Sequence, residues 1–171
     1  MHDNIVTKAR KYAIHCHTST NHKYDGKPYA YHLESVVDYA LRFIHLIPRN
    51  KQLDVLSACW CHDVIEDCRQ TYQMVEDNTN KNVAEIVYAL TNEKGKTREQ
   101  RANDKYYKGI KETPYATFVK LCDRMANLEY SKKTSPKMTK VYQKEMSNFI
   151  KKVYDPKYDE MFDYLKKEAK S

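Results

Sequence analysis

The chain has 171 residues, which suits one domain with a real hydrophobic core. Only 3 Gly and 5 Pro exclude a turn-rich sheet protein and point to an all-α fold. The formal net charge is +7, and residues 131 to 171 carry eleven Lys against six acids. Such a basic face is compatible with simple solvation, with a small polyphosphate ligand or with nucleic acid. No Arg-rich tract or aromatic–basic interleave suggests a polymer groove, so the expected partner is a small molecule rather than nucleic acid. No apolar run has the length to cross a bilayer, and the polar start MHDNIVTKAR lacks a signal-peptide core. The expectation is a cytoplasmic protein without membrane contact.

In chain order, residues 4 to 18 read as a helix capped by Asp3 or Asn4, with Ile5, Ala9, Tyr12, Ala13 and Cys16 on its apolar stripe. Residues 19 to 28 read as a loop, with Asp25-Gly26 as a turn and Pro28 opening the next helix. That second helix runs from 29 to 46, placing His32, Val36, Ala40, Phe43 and Ile47 on one stripe, and Pro48 ends it. A third helix is expected over 51 to 66, carrying VLSACWCHDVIED. Thr71 caps a short helix, 82 to 91 is compact and apolar, and 92 to 97 is an exposed loop. Residues 98 to 112 read as one charged surface helix. Pro114 opens PYATFVKLCDRMANLEY, where Phe118, Leu121, Cys122 and Met125 form the core face and Ala116, Lys120, Asp123 and Asn127 the other. Two amphipathic helices, 137 to 153 and 156 to 169, complete a single domain over 1 to 171.

The five cysteines are scattered. Cys59 and Cys61 have the look of a thiolate pair, but two residues apart on a helix they point to opposite sides, so buried free thiols are expected. His15 and His17 are expected to be surface or core histidines.

Four polar residues sit at apolar-stripe positions on three separate helices: His32, His62, Asp63 and Asp123. Taken singly, His32 could be a hydrogen-bonded helix start, and Asp123 could pair with Lys120 or Arg124. Together, two imidazoles and two carboxylates suit a first-row divalent ion, Mn²⁺ or Fe²⁺ before Mg²⁺, that keeps positions for water and substrate. Glu66 and Asp67 stand one turn further on as an acid–base pair.

The segments GKPYAYH (26 to 32), CHDVIED (61 to 67) and KLCDRMANL (120 to 128) together resemble the HD-domain phosphohydrolases. More narrowly, the chain is similar over about residues 8 to 130 to the hydrolase domain of the RelA/SpoT family and the small alarmone hydrolases. The resemblance implies a helical HD-domain bundle, His32, His62, Asp63 and Asp123 as ligands of one divalent metal, usually Mn²⁺, and Glu66 and Asp67 handling the attacking water. It implies Asn127 near the nucleotide, and release of pyrophosphate from the 3′ position of guanosine tetra- or pentaphosphate to give GDP or GTP. Where relatives carry a basic pair that stacks the base, this chain has His22-Lys23-Tyr24; Lys23 and Tyr24 are the candidate contacts. Lys120 and Arg124 are candidates to neutralise phosphates. With no synthetase segment after residue 171, a monofunctional hydrolase is expected. The alternatives are an HD hydrolase of another nucleotide, a metal-bound sensor without turnover, and a nucleic-acid binder.

Overall fold

A computed structural model describes residues 4–171. Among these residues, eleven α-helices are joined by short turns, and one two-stranded hairpin interrupts them. The first helix, α1 (Ile5–Ser19), is capped by Asn4, whose side chain accepts from the Thr7 amide; Asp3 lies outside the described residues. The expected loop at 19 to 28 contains the hairpin, β1 (Lys23–Tyr24) and β2 (Lys27–Pro28). Asp25 and Gly26 turn it with φ of 50° and 77°, the pair of left-handed residues that a two-residue hairpin requires. Pro28 therefore belongs to a strand, and α2 (Ala30–Phe43) begins one residue later than expected.

The expected helix over 51 to 66 is two helices, α3 (Gln52–Cys61) and α4 (Val64–Cys68), with His62 and Asp63 at the break. After α5 (Tyr72–Asn78), capped by Thr71, comes α6 (Lys81–Leu90). The expected charged helix over 98 to 112 is also divided, into α7 (Arg98–Arg101) and α8 (Asp104–Glu112). Thr97 and Gln100 close a capping box on α7, and the Asn103 side chain accepts from the Tyr106 amide to start α8 afresh. This stretch is not wholly surface, because Tyr106 and Ile110 are buried. Helix α9 (Ala116–Thr134) starts two residues past Pro114, since Tyr115 adopts a left-handed conformation with φ of 68°. It is followed by α10 (Pro136–Val153) and α11 (Asp159–Lys170).

The core is one continuous apolar cluster drawing on nearly every helix. Helix α9 runs through its middle and is flanked by α2, α3, α6, α8, α10 and α11, while α1 packs on α3. Twelve of its side chains are buried, among them Phe118, Leu121, Cys122 and Met125. All five cysteines are free thiols inside this core. No helix among the described residues is long and apolar enough to cross a membrane.

Phe118 is fully buried between α9 and the C-terminal helices, with its ring 5.8 Å from that of Tyr158. Phe118→Ala should cost about 3–5 kcal/mol of unfolding free energy, read from urea denaturation.

Candidate metal centre

The four polar residues converge at one end of the α2–α3–α9 packing. His32 is fixed by the first turn of α2, whose stripe of Leu33, Val36, Ala40 and Phe43 is buried. Asp123 sits in the buried middle of α9. His62 and Asp63 come from the α3–α4 junction. His62 Nε2 lies 2.9 Å from Asp63 Oδ2 and 3.6 Å from Asp123 Oδ1. His32 Nε2 lies 3.2 Å from Asp123 Oδ1 and 3.8 Å from Asp63 Oδ2. One donor atom each from His32, His62 and Asp123 falls within 4.8 Å of the others.

The surroundings fit this set for a cation. His62 Nδ1 is 2.9 Å from the Cys59 carbonyl, which can only accept. Nδ1 must therefore carry the proton, and in the neutral ring the lone pair is on Nε2, facing the carboxylates. His62 Nε2 is buried and makes no hydrogen bond, despite its closeness to Asp63. Asp123 is held at both oxygens: Asn127 Nδ2 donates to Oδ1 at 2.7 Å and Lys120 Nζ to Oδ2 at 2.9 Å. Tyr29 Oη donates to Asp63 Oδ2 at 2.6 Å.

Burial alone would raise both carboxyls and lower the imidazole. It is overcome at Asp123, where the Lys120 ammonium holds the carboxyl well below its ordinary range. It is likewise overcome at Asp63 by His62, and at His62 by Asp63 and Asp123, which hold the imidazolium well above its ordinary range. An imidazole held protonated beside two ionised carboxylates is a site in which a dication can replace a proton.

A cavity of about 190 Å³ opens beside the cluster, lined also by Glu66, Asp67, Asn92 and Tyr106. Glu66 accepts from the Asn92 amide at 3.1 Å and from its side chain at 2.8 Å, which fixes its carboxylate at the rim. Burial, together with Asp63 and Glu66, pushes Asp67 up to about 7. The two adjacent carboxyls thus occupy different environments.

Among the expected substrate contacts, Lys120 and Asn127 line this cavity. Tyr24 covers it from the hairpin side, its ring stacked on His32 at 4.7 Å and its hydroxyl donating to Asn127 Oδ1 at 2.7 Å. Lys23 stands exposed on β1 and is not part of the lining. Arg124 lines a neighbouring cavity, where it pairs with Glu145 at 3.1 Å and lies 4.3 Å from the centre of the Phe149 ring. Sequence reasoning passed over Tyr29, Asn92 and Tyr106. Tyr29 lies inside the segment GKPYAYH, where only His32 carries an expected role, and Asn92 opens the stretch 92 to 97 expected to be an exposed loop. Of the two unassigned histidines, His15 is exposed and His17 buried.

A helical bundle that gathers two histidines and two aspartates at one end defines the HD class of fold. The family model described as the HD domain matches residues 9–156, and the chain belongs to that family. It is also similar to the guanosine-3′,5′-bis(diphosphate) 3′-pyrophosphohydrolase MESH1 of Danio rerio, 25% identical over 133 residues, which are 77% of this chain and 72% of that protein. The family and the donor set together make this chain a metal-dependent phosphohydrolase of the HD type.

The raised Asp67 carboxyl has a consequence for the metal-free protein. Between the ordinary aspartate value and about 7, the folded state holds a proton that the unfolded state has released. Stability therefore falls as pH rises through that window. Asp67→Asn should stabilise the metal-free protein by about 1–2 kcal/mol at pH 8, allowing for solvent screening of a partly exposed group, and by less than half of that at pH 5. Denaturant unfolding at both pH values measures the difference.

Proposed function

We propose that the protein hydrolyses guanosine 3′,5′-bis(diphosphate)-type alarmones, releasing pyrophosphate from the 3′ position to leave GDP or GTP. The observation that carries the reading is the union of the four-residue cluster with Glu66 and Asp67 in one cavity. The likeness to a protein named for that reaction supports the substrate. His32, His62, Asp63 and Asp123 would hold the metal, for which Mn²⁺ suits the mixed nitrogen and oxygen donors. When bound, a divalent cation supplies Lewis acidity, lowering the pKa of water and neutralising charge on phosphoryl oxygens.

The residues divide the remaining work. Glu66, fixed by Asn92, accepts the proton of the attacking water. The water oxygen bonds to the phosphorus attached at the 3′ oxygen, and that phosphorus–oxygen bond breaks. Asp67, which stays partly protonated near neutral pH, gives its proton to the leaving 3′ oxygen. Lys120 lies beside the reacting phosphate and continues into the second cavity.

That second cavity, about 760 Å³, shares Asn92, Tyr106 and Lys120 with the first and is lined by Arg98, Arg101, Arg124, Lys144 and Lys152. Glu145 engages Arg98 and Arg124, and Asp104 engages Lys152. Among the described residues, the Arg101 and Lys144 side chains have no such partner. They are placed to take the phosphates that do not react. A simple nucleoside monophosphate would leave this groove unused, which favours a substrate with phosphates at two positions.

A panel of nucleotides incubated with the protein and Mn²⁺, resolved by chromatography, tests the reading. Pyrophosphate and GDP from guanosine tetraphosphate support it. Orthophosphate from a monophosphate, or turnover of an adenosine alarmone in preference, replaces it with the alternative of an HD hydrolase for another nucleotide. Glu66→Gln should retain the metal and the helical spectrum while losing at least about 10²-fold in kcat. Replacing Arg101 and Lys144 together by Ala should raise KM for guanosine tetraphosphate by about tenfold with kcat little changed, measured by initial rates.

A further inference from the structure

Asp123 and Asp63 face the same cluster but are held in very different ways. Asp123 has one donor on each oxygen, from Lys120 and Asn127, both on its own helix. Asp63 sits at a helix break, and among the described residues Tyr29 is the one side chain that donates it a hydrogen bond. The bond is short, 2.6 Å, and ends on Oδ2, the same oxygen that lies nearest both His62 and His32. Outside the cluster's own imidazoles, the orientation of the Asp63 carboxylate thus rests on one phenol.

That phenol is itself rigidly mounted. Tyr29 is buried, and its ring packs against both His17 and His22, with centroids 4.2 Å from each and the two histidine rings 5.1 Å from one another. The two histidines are tied to each other by Nδ1–Nδ1 contact at 2.9 Å, which requires one shared proton. The backbone closes the same loop, the His22 amide donating to the His17 carbonyl at 2.9 Å. The three rings pack as a compact triangle, and the hydroxyl of the tyrosine reaches the cluster. Burial and the Asp63 carboxylate push the phenol far up, so it keeps the proton that it donates to Asp63.

We propose that Tyr29 is the positioning residue for Asp63: packed against the linked His17–His22 pair, it sets the carboxylate angle on which cation binding depends. The inference rests on the metal reading of the cluster, but not on the identity of the nucleotide. Orienting groups one bond behind a ligand typically govern metal affinity by about 10–100-fold.

The test is calorimetric titration of Mn²⁺ alone into the metal-free protein, its Tyr29→Phe and Asp63→Ala variants, and the double variant. Phenylalanine keeps the stacked ring, so the helical circular-dichroism spectrum should be unchanged. Tyr29→Phe should bind Mn²⁺ about 10–100-fold more weakly, and should cost nothing further once Asp63 is alanine. At saturating Mn²⁺ its kcat should return to within about threefold of the parent, because the hydroxyl orients a ligand and does not touch the reacting atoms. Unchanged affinity in Tyr29→Phe overturns the proposal, as does an equal loss in the Asp63→Ala background. A parent protein that fails to bind Mn²⁺ overturns both this and the metal reading. A parent that binds Mn²⁺ but leaves guanosine tetraphosphate intact overturns the substrate assignment alone.

Discussion

The constraint on which the structure turns is the confinement of two carboxylates and two imidazoles where three helices meet. Side chains of His32 and His62 are nearly fully buried, and those of Asp63 and Asp123 largely so. Two like charges so placed are costly, because the solvent that would separate them is excluded. Each is met by a specific donor: Lys120 and Asn127 at Asp123, Tyr29 at Asp63. Lys120 and Asn127 satisfy Asp123 from within α9, while Tyr29 ties the turn before α2 to the break between α3 and α4.

The break between α3 and α4 serves the same end. Neighbouring residues on a regular helix point about 100° apart and do not converge on one spot. Interrupting the helix at His62 and Asp63 lets the two side chains approach, nitrogen to oxygen, to 2.9 Å. Helix α4 then resumes for a single turn and carries Glu66 and Asp67 into the same cavity. A straight helix would have kept Glu66 beneath His62 and sent Asp63 to a different face.

This break marks the limit of what periodicity reveals. The helical class, the apolar faces of α2 and α9 and the free thiols were legible because burial imposes a 3.6-residue repeat on the chain. The Asp25-Gly26 turn was legible because glycine at positive φ is a local steric requirement. Breaks at His62–Asp63 and at Asn103 were not, since each depends on side chains binding particular backbone or distant groups. The residues of the cluster could be gathered from their polar nature at buried positions. Their supports could not: Tyr29 and Asn92 look like ordinary helix-flanking residues until the fold brings Asp63 and Glu66 beside them.

Charge divides the two connected cavities in a way that bears on how a phosphate ester is handled. The smaller is anionic: Asp63, Glu66, Asp67 and Asp123 outnumber Lys120. The larger is cationic, with Arg98, Arg101, Arg124, Lys144 and Lys152 outnumbering Glu99, Asp104 and Glu145. A polyphosphate is attracted to the larger and repelled by the smaller, and the repulsion is strong where water is excluded. The reacting phosphate can settle among four carboxyl groups only if their charge is offset. A proton on Asp67 removes one charge, and a dication on the proposed ligand set, of which His32, His62 and Asp123 bring donor atoms together, would offset two more. With both in place the smaller cavity is near neutral once Lys120 is counted, and the electrostatic barrier to the phosphate is largely gone. The same two species are the ones the proposed hydrolysis consumes or relies on, so in this site the conditions for admitting the substrate and for cleaving it coincide.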